Sequence, residues 1–328
     1  MIAGVILIVQ QHRDIIRFNH PHTSKFSTLN ELFVRSQTEW NLVFALVRST
    51  ISQPDAARLS FDLIAGLCRD GPEQLVTVDN FPGLVTLLDD FATTAGTVTE
   101  GQQQHARRSQ ALTSSKYVGS RYNRSFCLQS SSSPTIDRGR KAVDLLFDLK
   151  KFLSSFLELQ RVQGRIIYFV ILVCINDPLS AWRQMCLPLL MSLGRQSSNA
   201  SREVRHAAIS QLQRILLGSY ITFNDGHAQV EEIFNRVIFP LLDELLKPQV
   251  FQRDPQGMSE TRLRASALLC KAFMHFEVRE SSANADIRIL WIQILDLLDR
   301  LMNINKGDQL VRTRPISTCS RKLIVCTA

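Results

Sequence analysis

Leu187-Pro188-Leu189-Leu190-Met191-Ser192-Leu193 and Phe239-Pro240-Leu241-Leu242-Asp243-Glu244-Leu245 are two copies of one pattern: an apolar run with a proline at its second position. Each copy precedes a second helical pattern. The first contains Glu203-Val204-Arg205-His206-Ala207-Ala208-Ile209 and continues to Leu212 and Leu216; the second contains Leu263-Arg264-Ala265-Ser266-Ala267-Leu268-Leu269. Self-similarity at a fixed spacing is the signature of a repeat architecture, in which each unit buries its apolar face only by stacking on its neighbours. A proline inside a helix costs about 3 kcal/mol, so Pro188 and Pro240 are expected at bends or first turns. Ala207, Ala208, Ala265 and Ala267 are small enough to bring two helices to the short end of the roughly 8–10 Å interaxial range.

Ser201 and Ser259 precede polar first turns and are read as N-caps. A last helix is expected over Ala285–Asn303, with Ile287, Leu290, Trp291, Ile294, Leu298 and Leu301 on one face and Lys306-Gly307 as its stop. The expected fold is therefore all-α: a HEAT/armadillo-like α-solenoid.

Upstream, Trp40, Val43, Phe44, Val47 and Ile51 recur at three- and four-residue steps and define a helix face. Gln53-Pro54-Asp55 ends that run, with Ser52 read as the next N-cap. Ala57, Phe61, Ile64 and Leu67 or Cys68 mark a second helix; Leu84, Leu87, Leu88 and Phe91 mark a third, starting between Asp79 and Pro82. Residues 97–135 are rich in Ser, Thr, Gln and Arg. Such a segment buries little apolar area against its ordering entropy, and it is read as a disordered linker inside the solenoid. Phosphorylation of Ser133, which precedes Pro134, would lower its positive charge. From Asp137 an amphipathic helix carries Val143, Leu146, Phe147 and Leu149, with Thr135 or Asp137 near its cap. The expected organisation is an irregular 1–36, helical repeats over 37–96, the linker at 97–135, helical repeats over 136–310 with a doubtful insert at 164–180, and an irregular tail at 311–328.

The 328 residues carry 45% hydrophobic and 21% charged side chains and a formal net charge of +8. That balance suits a globular chain with an acidic partner. The basic residues are dispersed and not interleaved with aromatic ones, so no nucleic acid is expected as partner. Seven cysteines occur without a C-x-x-C pair, which argues against zinc and against a disulfide framework and fits reduced thiols in the cytosol. Ile2–Val9 lacks a basic leader and is a poor signal peptide. Ile166–Ile175 is far shorter than the roughly 20 residues that cross a bilayer. No cofactor or metal is expected, and His20-Pro21-His22 has no further clustered ligands. Neither a G-x-x-x-x-G-K-[ST] phosphate loop nor a G-x-S-x-G elbow occurs. Glu203 and His206 read as solvated or ion-paired surface and Asp89-Asp90 as an acidic pair at a helix end, so no catalytic residue is assigned.

Three stretches also resemble a known family. LPLLMSLGRQSSNASREVRHAAISQLQRILL (Leu187–Leu217) and VIFPLLDELLKPQVFQRDPQGMSETRLRASALLCKAF (Val237–Phe273) look like homology regions downstream of the catalytic domain in large Arf guanine-nucleotide exchange factors of the Golgi brefeldin-A-resistance type. WNLVFALVRSTISQPDAARLSFDLIAGLC (Trp40–Cys68) is similar to an earlier downstream region. The resemblance covers roughly 38–96, 136–163 and 181–310. It implies a cytoplasmic protein peripherally associated with Golgi membranes, with Arf or Rab-type GTPases, Golgi lipids and other regions of the same exchange factor as partners. The family's Phe-Arg-Leu-Pro-Gly-Glu catalytic signature is not found here, so no exchange activity is expected of this chain by itself. Residues 1–36, 164–180 and 314–328 depart from the family and are read as translated intron or shifted frame.

Two functions follow. One is a non-catalytic, regulatory and membrane-targeting solenoid of an Arf exchange factor, with Arg202, Arg205, Arg214, Arg262 and Arg264 as the candidate interaction face. The other is an independent HEAT-type scaffold or adaptor that binds proteins or nucleic acid.

Overall fold

The structure, a computed structural model, describes residues 40–68, 76–77, 80–114, 133–153, 182–218, 226–277 and 285–303. The segments 1–36, 164–180 and 311–328 lie outside the described residues, as do residues 115–132 of the expected linker.

Among the described residues every regular element is helical. The first helix, α1, spans 40–50, and Trp40, Val43, Phe44 and Val47 are buried along it as the spacing predicts. α2 (Pro54–Leu67) buries Ala57, Phe61, Ile64 and Leu67. α3 (Phe81–Ser114) buries Leu84, Leu87, Leu88 and Phe91. α4 (Pro134–Asp148) follows. A π-helical turn, Trp182–Cys186, runs directly into α5 (Leu187–Gln196), and α6 spans Arg202–Leu217. α7 (Gly226–Ile233) passes through a second π-helical turn, Phe234–Ile238, into α8 (Phe239–Leu246). After a single turn at Pro248–Phe251, α9 covers Pro255–Glu277 and α10 covers Ala285–Asn303.

These helices form two stacked rows. α3, α5, α8 and α10 pack successively in one row; α4, α6 and α9 pack successively in the other. Each row-one helix also packs on a row-two neighbour, so one apolar core runs along the whole stack. This is solenoid geometry, in which every unit is completed by the next.

The two prolines of the repeat occupy equivalent places. Pro188 and Pro240 both sit in the first turn of their α-helix, and both follow a five-residue π turn. A proline ring clashes with the carbonyl four residues back and has no N–H to offer it. A widened turn, with its i→i+5 pairing, removes that conflict without ending the helix. The expected shared bend is thus a π turn.

Small residues set the closest approaches. Ala208 and Ala265 are fully buried between rows, whereas Ala207 and Ala267 are half-buried. A Cβ on Gly139 would lie 2.5 Å from Ala95 Cβ and 3.3 Å from Val204 Cγ2, which makes this glycine the meeting point of α3, α4 and α6.

Three expectations need correction. The linker reading of 97–135 fails for its opening stretch, because α3 continues helical to Ser114. Extending a formed helix fixes one residue per hydrogen bond and avoids a new nucleus, and Gln, Ala and Arg propagate it well. Glu100 on this extension pairs with Arg253 at 3.1 Å. The expected caps also move. α2 starts from Gln53 and not Ser52, and α4 from Ser133 and not Thr135 or Asp137, each with proline at the first helical position; the Pro248–Phe251 turn starts from Lys247 in the same way. A proline N1 has no N–H to leave unpaired and a pre-set φ. Ser259 lies inside α9 and donates to Pro255 O at 2.9 Å; Ser201 does precede α6, but its hydroxyl makes no capping bond.

Candidate functional site

The polar side chains of the solenoid collect at two seams. The first joins α3 to α5. Asp89 is 2% exposed and sits within α3, not at a helix end. It accepts from Ser192 Oγ at 2.7 Å, from Gln196 Nε2 at 2.9 Å and from the guanidinium of Arg195. Gln196 also donates to Thr93 Oγ1 at 2.9 Å, and its Oε1 accepts from Asn199 Nδ2 at 2.7 Å. Asn199 then turns the chain into α6, its Oδ1 accepting from Ser201 N–H at 2.8 Å. Asp90, next to Asp89, faces the other way and pairs with Arg48 at 2.6 Å.

The second seam joins α6 to α9 through Asp254. This residue caps α9: its backbone oxygen accepts from Met258 N–H at 2.8 Å and its Oδ1 from Gly257 N–H at 3.2 Å. The same carboxylate receives Arg202 through Nε at 2.9 Å and Nη2 at 2.6 Å, and Arg205 through Nη2 at 2.7 Å. Arg205 is wholly buried. It also donates to Thr261 Oγ1 at 2.9 Å and to Asn199 O at 2.7 Å. A Cβ on Gly257 would come within 2.6 Å of Arg202 Nε and 2.7 Å of Arg205 Nη2, so a side chain there would displace the two guanidiniums.

Charge follows this geometry. Burial opposes ionisation of Asp254, but hydrogen bonds from Arg202, Arg205 and Gly257 outweigh it and hold the carboxyl at about 2. Burial lowers the pKa of Arg205, with the Asp254 contact opposing it. His206, half-buried between Arg264 and Glu260, is lowered by burial first and then by Arg264. Burial pushes the thiols of Cys68 and Cys186 up to about 12, which leaves them without thiolate character at neutral pH.

The five arginines expected to form one interaction face are not one surface. Arg205 and Arg262 are buried. Arg262 reaches Leu245 O at 2.9 Å, a carbonyl in the last turn of α8, and lies 4.1 Å over the Phe251 ring. Arg205 has the matching role in the preceding repeat. Both brace the connection before their own helix, Arg262 through a carbonyl that the end of α8 leaves open and Arg205 through loop carbonyls of Asn199 and Ala200. Arg202 is half-exposed and engaged by Asp254. Arg264 pairs with Glu260 at 2.6 Å. Arg214 is exposed, donates to Gln211 Oε1 at 3.0 Å and lies 4.2 Å over the Phe147 ring. Lys150 Nζ is 3.0 Å from the centroid of that ring, and its pKa is lowered by burial and then by Arg214. Asp254, Thr261 and Asn199 escaped the sequence reading, although Asp254-Pro255 is a helix-start signal.

Comparison with known proteins places this arrangement. Residues 186–317 match a family model described as "GBF1-like, tetratrico peptide repeat region". The chain is 32% identical over 144 residues to the Golgi-specific brefeldin A-resistance guanine nucleotide exchange factor 1 homolog of Caenorhabditis elegans, a match covering 44% of this chain and 7% of that protein. Over the matched residues the chain is similar to the Golgi brefeldin-A-resistance exchange factors. It is also 24% identical over 298 residues to the ARF guanine-nucleotide exchange factor GNOM of Arabidopsis thaliana, covering 89% of this chain and 17% of that protein. The matches to these two relatives span 7% and 17% of their lengths. The GBF1-like region begins at Cys186, the last residue of the first π turn, and takes in α5 to α10 and with them the whole Asp254 seam. The helical solenoid read from the sequence stands, while the family describes its repeat as tetratrico peptide; both are stacks of antiparallel helix pairs.

Among the described residues, no helix is long and apolar enough to cross a membrane, and no group of His, Cys, Asp or Glu is placed to hold a metal ion.

Proposed function

We propose that the chain is a non-catalytic, regulatory and membrane-targeting solenoid of an Arf guanine-nucleotide exchange factor acting in Golgi vesicle traffic. Its partners are Arf-type GTPases, Golgi lipid and other regions of the same exchange factor. It works at the cytoplasmic face as a peripheral component. The observation that carries this reading is the GBF1-like match over α5–α10, together with the use made of the polar residues there. Asp254, Arg205 and Asp89 are committed to joining repeats and Arg262 to bracing the turn before its own helix, and exposed cations such as Arg214 are offered to an acidic partner.

The test is flotation of the purified chain with vesicles of phosphatidylcholine containing phosphatidylserine and phosphatidylinositol phosphate, alongside GDP release from Arf. Salt-sensitive flotation with background nucleotide release is the expected result. Salt-sensitive binding to RNA without flotation would overturn it in favour of the independent adaptor. Accelerated GDP release by the chain alone would overturn the non-catalytic assignment.

A further inference from the structure

Two cations crowd one aromatic ring where α4 meets α6. The guanidinium of Arg214, in the last turn of α6, lies 4.2 Å over Phe147, and Lys150 Nζ lies 3.0 Å from the centroid of the same ring. Phe147 itself is buried near the end of α4. A relay between the two helices holds Arg214 in place. Gln211 donates through Nε2 to Asp144 Oδ1 at 3.0 Å, and its Oε1 accepts from Arg214 Nη1 at 3.0 Å. A guanidinium carries five N–H donors. Among the described residues Gln211 is the acceptor for Arg214, and no carboxylate stands at ion-pair distance from it. The arginine is thus fixed over the ring, exposed to solvent and answered by a neutral amide. Like charges brought together disfavour one another. Lys150 titrates below the usual lysine range, through burial first and then through Arg214. An anion bridging the two cations would replace that repulsion by attraction.

We infer that Arg214 and Lys150 form a docking point for a phosphate monoester carried on a peptide segment of a partner protein. A phosphoserine brings a charge of about −1.5 to −2 and three acceptor oxygens, enough to meet the open N–H edge of Arg214 and the ammonium of Lys150 together. A carboxylate brings one charge and two oxygens, which a single guanidinium already takes up. The flanking acids decide against a membrane. Asp144, with a side chain 41% exposed, and the exposed Asp148 stand on the same helix as the ring, and Asp148 acts on Lys150 against Arg214. The positive charge is therefore a point and not a patch. A layer of anionic headgroups would meet both carboxylates as well as both cations, whereas one phosphate on a chain meets the cations alone. This inference rests on the reading that exposed cations serve an acidic partner and narrows it at Arg214. Membrane binding is left to other cations, so flotation and phosphopeptide binding fail independently.

The experiment is fluorescence anisotropy of the full chain with a fluorescein-labelled peptide carrying one phosphoserine among alanines and glycines, beside its serine and glutamate counterparts. The phosphopeptide is expected to bind, and the other two not. Arg214→Gln should weaken binding about tenfold, the loss of a hydrogen-bonded charge, with unchanged circular dichroism because the side chain is exposed. Arg214→Lys, which keeps the charge over the ring, should retain part of the affinity. A second readout is acetylation of the full chain followed by peptide mass spectrometry. The phosphopeptide should protect Lys150 and leave Lys247, on the far side of α8, as reactive as before. Equal binding of the three peptides, insensitivity to Arg214→Gln, or unprotected Lys150 would overturn the inference. So would loss of vesicle flotation in Arg214→Gln without any phosphopeptide binding by the wild type, which would put a lipid headgroup on this point.

Discussion

The two polar seams are inverse solutions to the same problem. At α3/α5 the acid is hidden and the cation is free to move: Asp89 is almost inaccessible, while the side chain of Arg195 is 65% exposed. At α6/α9 the cation is hidden: the side chain of Arg205 is 0% exposed, and that of Asp254 is 16% exposed. The difference lies in what surrounds the buried member. Asp89 shares its charge between Arg195 and two neutral donors, Ser192 and Gln196. Arg205 depends on the Asp254 carboxylate for its charge. A buried charge deprived of its partner is far more damaging than a lost neutral hydrogen bond.

Breaking the comparison at its strongest point means removing Asp254. Asp254→Ala strands Arg205 inside the α6/α9 seam and takes the cap from α9. A loss of about 3–5 kcal/mol in urea unfolding is expected, whereas replacing Arg205 and Asp254 together with apolar residues should recover much of it. Asp89→Ala is expected to come next, since it leaves Ser192 without its acceptor and Gln196 with Thr93 as its side-chain acceptor, and a buried donor left without an acceptor costs about 1–3 kcal/mol.

Acid should sharpen the contrast. The Asp254 carboxyl is depressed in the folded chain, so its contribution is complete above the unfolded value near 4 and disappears as pH falls toward 2. That amounts to on the order of 2 kcal/mol. Melting temperatures of the wild type and Asp254→Asn should therefore converge through that window; parallel curves would mean that Asp254 is not held down by its arginines. The smallest effect belongs to Arg48→Ala. Its ion pair with Asp90 is exposed at both ends, such a pair contributes about 0–1 kcal/mol, and the urea midpoint should scarcely move.

The rows of the solenoid were legible because burial leaves a period. Trp40, Val43, Phe44 and Val47, or Leu84, Leu87 and Leu88, need only their spacing to be placed on a face. The proline bends were legible because the ring has one steric requirement and it recurs. The seams were harder to read because arginine is normally counted as surface. A signal did exist. Arg205, Ala208, Ile209 and Leu212 form one stripe, as do Met258, Arg262, Ala265 and Leu269, so each arginine falls where an apolar residue belongs. What sequence could not supply was the partner. Asp254 lies far along the chain from Arg205, and only stacking of one repeat on the next brings them together. The extended α3 was missed for a related reason, since composition measures whether a segment can fold alone and says little about one that continues a helix already begun.

Asp254 binds the two guanidiniums and starts α9 with one carboxylate. Ordering the first turn of a helix is its least favourable step. Here the group that eases that step is the group that latches the helix to its neighbour. Nucleation of one repeat and attachment to the previous one are therefore a single event, and the coupling between units, not the strength of either unit, governs the order of assembly. Hydrogen exchange should accordingly find α6 and α9 opening together, as one foldon.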